Sequence, residues 1–250
     1  MKKLEEYIAE AYDTKTNNKS IVQPKNKAEL KKIINDAFAR KQYDLNFIDT
    51  SKIADMSNLF EYCEHDFDVS NWNVSKVKGM SYIFYNCLKF KGKGLENWDV
   101  SNVTDMRGMF NGCEKFNCDL SNWDVSNVIY MNGIFNSCFK FKGKGVENWD
   151  VSAVKGMYGM FYNCKNFNVD LSQWNVSNVI DMQAMFDGCS IFTGEGLENW
   201  DVSKVKDMHR MFADCRKFDC DLSNWNVSDT TNTHYMFAGC DMLTIPTWYN

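Results

Sequence analysis

Serine, aspartate and cysteine recur along this sequence at positions where they could serve in catalysis or bind a metal. The segment 98–113, WDVSNVTDMRGMFNGC, contains Ser101, Asp105 and Cys113. A serine nucleophile needs an adjacent base, but the three histidines, at 65, 209 and 234, do not recur with the serines. Zinc sites use closely paired ligands such as C-x-x-C, whereas the repeated cysteines stand 24–26 residues apart. We therefore expect no catalytic residues, no metal site and no cofactor.

These residue types recur because the chain is built from repeats of about 25 residues. Each unit follows W-(D/N)-V-S-x-V-x-x-M-x-x-(M/I/L)-F-x-x-C-x-x-F, and a long and a short linker alternate, which gives a 51-residue period. A propeller blade needs about 40–45 residues for four strands, whereas 25 residues suffice for one solenoid coil. The repeat therefore predicts a solenoid. The tryptophans that mark it stand at 72, 98, 123, 149, 174, 200 and 225.

Within a unit, the apolar spacing changes from that of a strand to that of a helix. Trp98 and Val100 are two residues apart, as on one face of a strand. Met106, Met109 and Phe110 then follow at spacings of three and four after the preceding valine, as on one face of a helix. Ser101 takes the place of a helix N-cap. The pattern predicts an α/β solenoid of about eight coils, each a short strand followed by a short helix.

Two segments resemble a known family. FNCDLSNWDVSNVIYMNGIF (116–135) and FNVDLSQWNVSNVIDMQAMF (167–186) look like repeats of the BspA-type leucine-rich-repeat-like proteins, which are abundant in host-associated bacteria. The resemblance covers roughly residues 45–240. It implies a right-handed leucine-rich-repeat-like superhelix, display at the cell surface or secretion, and binding to a protein such as a host surface or matrix protein. It supplies no catalytic residues.

The array needs a lid at each end, because an open coil would expose its apolar cross-section. Asn26 and Glu29 form a capping-box-like start for an apolar stripe over 27–40, which predicts a lid helix. Residues 4–12 could form a further short helix. Trp248 is expected to fold over the last coil. We predict an N-terminal helical cap over 1–44, the repeat solenoid over 45–240 and a C-terminal cap over 241–250.

Composition and charge limit the class of partner. With 44% apolar and 15% aromatic residues, the chain is not a disordered polymer. Residues 46–250 carry 18 Lys/Arg against 26 Asp/Glu, a net charge of −8, so nucleic acid is not expected as a partner. No apolar run approaches the roughly 18–20 residues of a membrane span, and the segment MKKLEEYIAE lacks the apolar region of a signal peptide. The sequence leaves surface display and a cytoplasmic location both open, and we expect a monomer.

Several residue types that recur once per repeat are expected to have a structural role rather than a binding or catalytic one. Tryptophan and methionine lie in register with core valine and phenylalanine, so we predict that both rows are buried. The repeated cysteines should form a ladder of buried thiols, since equivalent side chains of stacked coils point in parallel and suit disulfide geometry badly. The extra Cys118 and Cys220 could pair with Cys113 and Cys215 if the environment is oxidising. The asparagines before the tryptophans are expected to form a ladder between coils.

Two sets of residues remain for a binding surface. The residue after each tryptophan is Asp or Asn and points outward if Trp and Val point inward. It forms either an acidic stripe for a basic partner or a local hydrogen bond that Asp and Asn make equally well. The second set varies between repeats on the predicted helix and is rich in Tyr and Arg, which are favoured at interfaces. The leading prediction is a non-catalytic scaffold that binds a protein or host ligand, and the alternatives are an intracellular inhibitor or scaffold and, more remotely, an enzyme. The candidate residues are Asp99, Asp124, Asp150 and Asp201 in the first set, and Tyr82, Tyr158, Arg107 and Arg210 in the second.

Overall fold

Neighbouring repeats lie side by side and are joined by parallel backbone bridges. The computed structural model describes residues 21–241 and 244–249. Seven of the nine bridges among the described residues join the residue seven places after each tryptophan, with Ile48 in the tryptophan's place in the first repeat; the other two join Val22 to Ile48 and Asp44 to Asp68. No strand longer than a single bridge occurs among the described residues. The bridged positions, in order, are Asp55, Gly79, Asp105, Tyr130, Gly156, Asp181, Asp207 and Asn232.

Each bridge begins a nine-residue segment that we call a rung, such as 105–113. Alternate N–H groups of a rung donate to carbonyls of the next rung, and the N–H groups between them donate to the carbonyl three residues earlier in the same rung. Every N–H of residues 106–113 except that of Arg107, which meets the Asp105 side chain, therefore has a backbone acceptor. The inter-rung bonds from Met106, Gly108, Phe110 and Gly112 run to Tyr130, Asn132, Ile134 and Asn136 at 2.8–3.1 Å.

The predicted short helix and short strand of each repeat are wrong in detail. In an α-helix each N–H donates to the carbonyl four residues earlier. In a rung, about half of the N–H groups donate instead to carbonyls of the neighbouring repeat. Left-handed residues also interrupt each rung at two places, for example Gly108 (φ 59°) and Gly112 (φ 78°). Apolar residues at spacings of three and four thus lie on successive turns. The predicted strand at Trp98–Val100 makes turn hydrogen bonds, and the bridge comes seven residues after the tryptophan.

The core consists of side-chain stacks that continue from repeat to repeat. The tryptophans are at most 5% exposed, and pairs such as Trp123–Trp149 stack with ring centroids 6.3 Å apart. Their indole N–H groups donate to a carbonyl of the preceding repeat, as Trp123 does to Leu95 at 2.8 Å. Phe110 stacks on Phe135 at 5.7 Å. The predicted burial of the tryptophan and methionine rows is confirmed; the methionines at 56, 80, 106, 131, 157, 182 and 208 are fully buried.

Helix α1 (Lys27–Ala39) covers the first repeat, and the described part of the C-terminal segment covers the last. The Asn26 side chain accepts the N–H of Glu29 at 3.0 Å, so the predicted helix start is confirmed. At the other end Trp248 stacks on Trp225 at 6.3 Å and donates to the Leu222 carbonyl, as predicted. Residues 1–20 of the predicted N-terminal cap, including 4–12, lie outside the described residues. Two 3₁₀ helices, Leu95–Asn97 and Val146–Asn148, lie in long linkers.

The parallel bridges and the continuous ring stacks support the solenoid that the repeats predict. We propose a solenoid as the architecture of residues 45–240. Its right-handed, leucine-rich-repeat-like form stays a prediction, as do the domain boundaries.

Candidate binding surface

The aspartates that follow the tryptophans each hold a turn together. Oδ1 of Asp124 accepts the backbone N–H of Ser126 at 3.0 Å and its hydroxyl at 2.6 Å. Asn175 accepts the N–H of Ser177 in the same way, at 3.1 Å. The local hydrogen bond therefore explains why Asp and Asn alternate at this position. We call the four acidic members, all exposed, the aspartate row: Asp99, Asp124, Asp150 and Asp201.

Three members of the aspartate row, Asp124, Asp150 and Asp201, are nevertheless charged at neutral pH. Hydrogen bonds from Ser126 hold the pKa of Asp124 below its usual value, and the neighbouring charge of Asp150 opposes this only weakly. Serine hydrogen bonds lower the pKa of Asp150 and of Asp201 in the same way. The row thus combines a structural role with a line of negative charge.

Two predicted roles of polar residues need correction. The repeated serines do not cap helices, because the rungs contain none; they donate to the residue two places earlier, as Ser101 does to Asp99. The asparagines before the tryptophans do not form a continuous ladder, although Asn122 reaches the Glu96 carbonyl at 3.2 Å. Amides from the position after the serine bridge the repeats instead. They belong to Asn102, Asn127 and Asn178, which donate to the carbonyls of Ser75, Ser101 and Ser152 at 2.8–2.9 Å.

Exposed tyrosines stand on the rungs, and we call them the tyrosine face. The rung backbone positions three of the five, as with Tyr82, which takes one of the left-handed positions (φ 57°) that repeat in every rung. Its ring lies over Gly108 of the next repeat, where a Cβ would collide with it. Tyr82 and Tyr158 were predicted from sequence, and three further members accompany them. The tyrosine face comprises Tyr62, Tyr82, Tyr130, Tyr158 and Tyr235, which are 40–61% exposed.

The two predicted arginines lie on the rungs too, but carboxylates of the same chain hold them. Arg107 forms a two-point ion pair with Asp105, at 3.0 and 2.7 Å, and its guanidinium lies 5.2 Å from the centre of the Tyr130 ring. Arg210 pairs with Asp187, with Nε 2.7 Å from Oδ2. Both arginines are therefore paired within the chain rather than standing free for a partner.

Asp187, the partner of Arg210, was not among the candidates predicted from the sequence. It is 4% exposed, and burial raises the pKa of its carboxyl against the opposing effect of Arg210. With Lys165 and Arg216 it lines a polar cleft of about 360 Å³. The one signal in the sequence for this pair is that Asp187 and Arg210 are 23 residues apart, close to one repeat, so they lie on neighbouring rungs.

The cysteines are unsuited to nucleophilic chemistry. All ten are free thiols, and the thiol of Cys113 lies 3.0 Å from the Phe84 carbonyl of the preceding repeat. Burial raises the pKa of Cys138 well above its ordinary value, and burial beside Glu96 raises the pKa of Cys118 to about 12. The thiolate is the reactive form, so these side chains are inert at neutral pH. Within 21–241 and 244–249, no three His, Cys, Asp or Glu side chains converge as metal ligands would.

A family model described as "Mycoplasma protein of unknown function, DUF285" matches the sequence twice, over residues 28–144 and 130–248. The two matches together cover α1 from its second residue, all the rungs and most of the C-terminal segment. No curated protein and no solved structure matches the sequence. In the part of the chain that the structure describes, no helix has the length and apolar character needed to cross a membrane.

Proposed function

We propose that this chain, which belongs to the DUF285 family of Mycoplasma proteins, is a non-catalytic repeat scaffold that binds another protein through its tyrosine face. The observation that carries the proposal is that five of the rungs each carry an exposed tyrosine. Large exposed apolar side chains grouped on one surface of a folded protein mark interaction sites, and tyrosine is enriched among the residues that dominate binding energy.

The variation between repeats supports this surface. Tryptophan, methionine and phenylalanine recur at fixed places in the core, whereas exposed rung positions hold Tyr82, Arg107 and Tyr158. A partner that spans several rungs would therefore meet a different side chain on each one. Specificity in a repeat scaffold arises from such rows.

The rigidity of the rungs also favours binding. In each interior rung, alternate backbone N–H groups donate to carbonyls of the next rung. N–H groups between them donate to carbonyls of the same rung, and these bonds are 2.7–3.3 Å long. The two-point ion pair of Arg107 with Asp105 further fixes the surroundings of Tyr130. A surface that is already ordered loses less conformational entropy on binding, so more of the contact energy contributes to affinity.

Charge favours a basic partner. Three members of the aspartate row are negative at neutral pH, and residues 46–250 carry an excess of acidic side chains. Such a field accelerates association with a cationic protein and weakens with salt. We propose that the aspartate row attracts the basic partner and that the tyrosine face makes the contact with it. The BspA-type resemblance favours a host surface or matrix protein as the partner.

The test measures binding of purified host matrix proteins to the immobilised chain by surface plasmon resonance. The double variant Tyr82→Asn, Tyr158→Asn should weaken the Kd at least about 30-fold, since a tyrosine hot spot contributes about 1–2 kcal/mol or more. Asparagine suits the left-handed backbone of Tyr82. The control, Asp124→Asn with Asp150→Asn, keeps the local hydrogen bonds and should lower mainly the association rate at low salt. An unchanged Kd in the tyrosine variant, or no binding to any matrix protein, would contradict the proposal.

A further inference from the structure

The last rung ends the ladder of backbone hydrogen bonds with four N–H groups that lack an acceptor among the described residues. In the rung before it, the equivalent N–H groups are all bonded at 2.7–3.1 Å, from Met208, Arg210, Phe212 and Asp214 to the carbonyls of Asn232, His234, Met236 and Ala238. The corresponding donors of the last rung are Thr233, Tyr235, Phe237 and Gly239.

The C-terminal segment covers the core of this rung but supplies no acceptor to its edge. The rings of Trp248 and Tyr249 lie 6.3 and 5.0 Å from that of Phe237, so the apolar end of the array is closed. The N–H of Tyr249 turns back to the Pro246 carbonyl. Tyr235 and Gly239 are exposed and Thr233 is half-buried, so this edge of the rung faces solvent. The edge is therefore closed to apolar contact and open to hydrogen bonding.

A second folded copy of the chain does not fit this edge. The matching carbonyls would come from its first rung, which lies beside helix α1. There Lys27 Nζ lies 2.9 Å from Asp55 Oδ2 and 2.7 Å from Ser57 Oγ, and Lys31 Nζ lies 3.4 Å from the Asn58 carbonyl. Stacking of two copies would have to displace α1 and expose the core residues that it buries, such as Leu30 and Ile34.

We propose that the last rung is a docking edge for an extended basic peptide segment of another protein. The segment would lie parallel to the rung and accept hydrogen bonds from the four N–H groups through carbonyls of alternate residues. Addition of a strand to an exposed edge is a recurrent mode of peptide recognition, in which main-chain hydrogen bonds give the affinity. In the interior rungs, the four acceptors span seven residues, as from Asn232 to Ala238, which sets the length of the segment.

The charge around the edge selects a basic segment. Residues 226–241 include Asp229 and Asp241, both exposed, and no lysine or arginine. Arg210 of the preceding rung is paired with Asp187, so lysine or arginine side chains on the segment would meet the exposed carboxylates of Asp229 and Asp241. The inference does not rest on the proposed function, because it concerns backbone groups at one end of the array.

The test uses the full chain and the blocked peptide Ac-KVKVGVKVK-NH2, followed by NMR of the backbone amides. In the free protein, the amides of the four donors should exchange with solvent at least about tenfold faster than the bonded amide of Gly108. On titration they should shift together, and their exchange should slow. The same peptide with glutamate in place of lysine should bind at least about tenfold more weakly. Slow exchange in the free protein, or no shift of these amides at saturating peptide, would overturn the inference.

Two variants sharpen this test. Thr233→Pro removes one donor, and loss of one hydrogen bond of about 1 kcal/mol should weaken the Kd about fivefold. Asp229→Asn with Asp241→Asn leaves the backbone intact, so it remains informative if the proline variant does not fold, and it should weaken binding at low salt. Lys115→Gln, exposed in the middle of the array, is the matched control and should bind as the native chain does. Equal affinity of the double aspartate variant and the control would contradict the basic character of the segment.

Discussion

Close contact between the long linkers and the preceding repeat predicts that two glycine substitutions will have very different effects. Gly145 precedes the 3₁₀ helix Val146–Asn148 with φ 96°. A Cβ built there would overlap the backbone nitrogen of Ser121 and lie 2.6 Å from its Cα. Gly133 is also left-handed (φ 62°), but the nearest atom to its Cβ is Asn111 Nδ2 at 3.7 Å. Gly145→Ala and Gly133→Ala therefore form a matched pair.

The expected magnitudes follow from these distances. Gly133→Ala should cost about 1 kcal/mol, the strain of a left-handed residue that bears a Cβ; the equivalent positions hold Tyr82, Ala184 and Arg210 at φ 52–57°. Gly145→Ala adds to that strain a clash with backbone atoms that cannot rotate away. The repeats must move apart and lose contacts on both sides, so we expect at least about 3 kcal/mol.

The assay is urea denaturation followed by tryptophan fluorescence, with the free energy of unfolding taken from midpoint and slope. Thermal unfolding should give the same order, with the midpoint falling by about 2–4 °C per kcal/mol for a chain of this size. Equal destabilisation by the two alanines would refute the close packing of linker on repeat. So would a Gly145→Ala variant as stable as the native chain.

Three further predictions concern the core, the ion pairs and the thiols. Trp149→Ala should cost about 3–5 kcal/mol, because the ring is buried and stacks on Trp123; an unchanged melting temperature would contradict the core assignment. Hydrogen bonds from Lys144 and Ser121 lower the pKa of Asp119 to about 2, below its unfolded value of 3.8. The contribution of Asp119 to stability is thus present above pH 3.8 and lost as the pH falls toward 2. Lys144→Gln should therefore flatten the pH dependence of the unfolding midpoint in that window. The same pH dependence in the variant and the native chain would contradict the ion pair of Asp119 with Lys144. Ellman's reagent should find ten thiols in denaturant without reductant but react slowly with the native protein, since burial raises the pKa of Cys138 and Cys189; rapid reaction of all ten in the native state would show that the core is not closed.

The core and α1 could be predicted from the sequence because their signals are local or periodic. Residues 25 or 26 apart had to share an environment, so burial of Trp98 and Met106 followed from the period alone. Asn26 and Glu29 likewise marked the start of α1 within one turn. Such signals require no knowledge of how the repeats hydrogen-bond to each other.

The rung could not be predicted, because its backbone depends on the neighbouring repeat. A spacing of three and four fits both a helix and successive turns, and only the inter-repeat bonds of Met106 and Gly108 decide between them. The left-handed backbone of Tyr82 could not be predicted from its residue type, because most residues with positive φ are glycine or asparagine. The candidate site was therefore predicted in part: Tyr82 and Tyr158 are exposed, whereas Arg107 and Arg210 are held by carboxylates.

The role of the tyrosine face is tested most directly by hydroxyl-radical footprinting of the chain with and without a bound matrix protein. The proposal predicts that oxidation of Tyr82, Tyr130 and Tyr158 falls several-fold in the complex, because a partner that contacts the rungs shields their exposed rings. Oxidation of Tyr249, which packs on Phe237 at the end of the array, should be unchanged. Unaltered oxidation of the three rung tyrosines in a saturated complex would contradict the proposal.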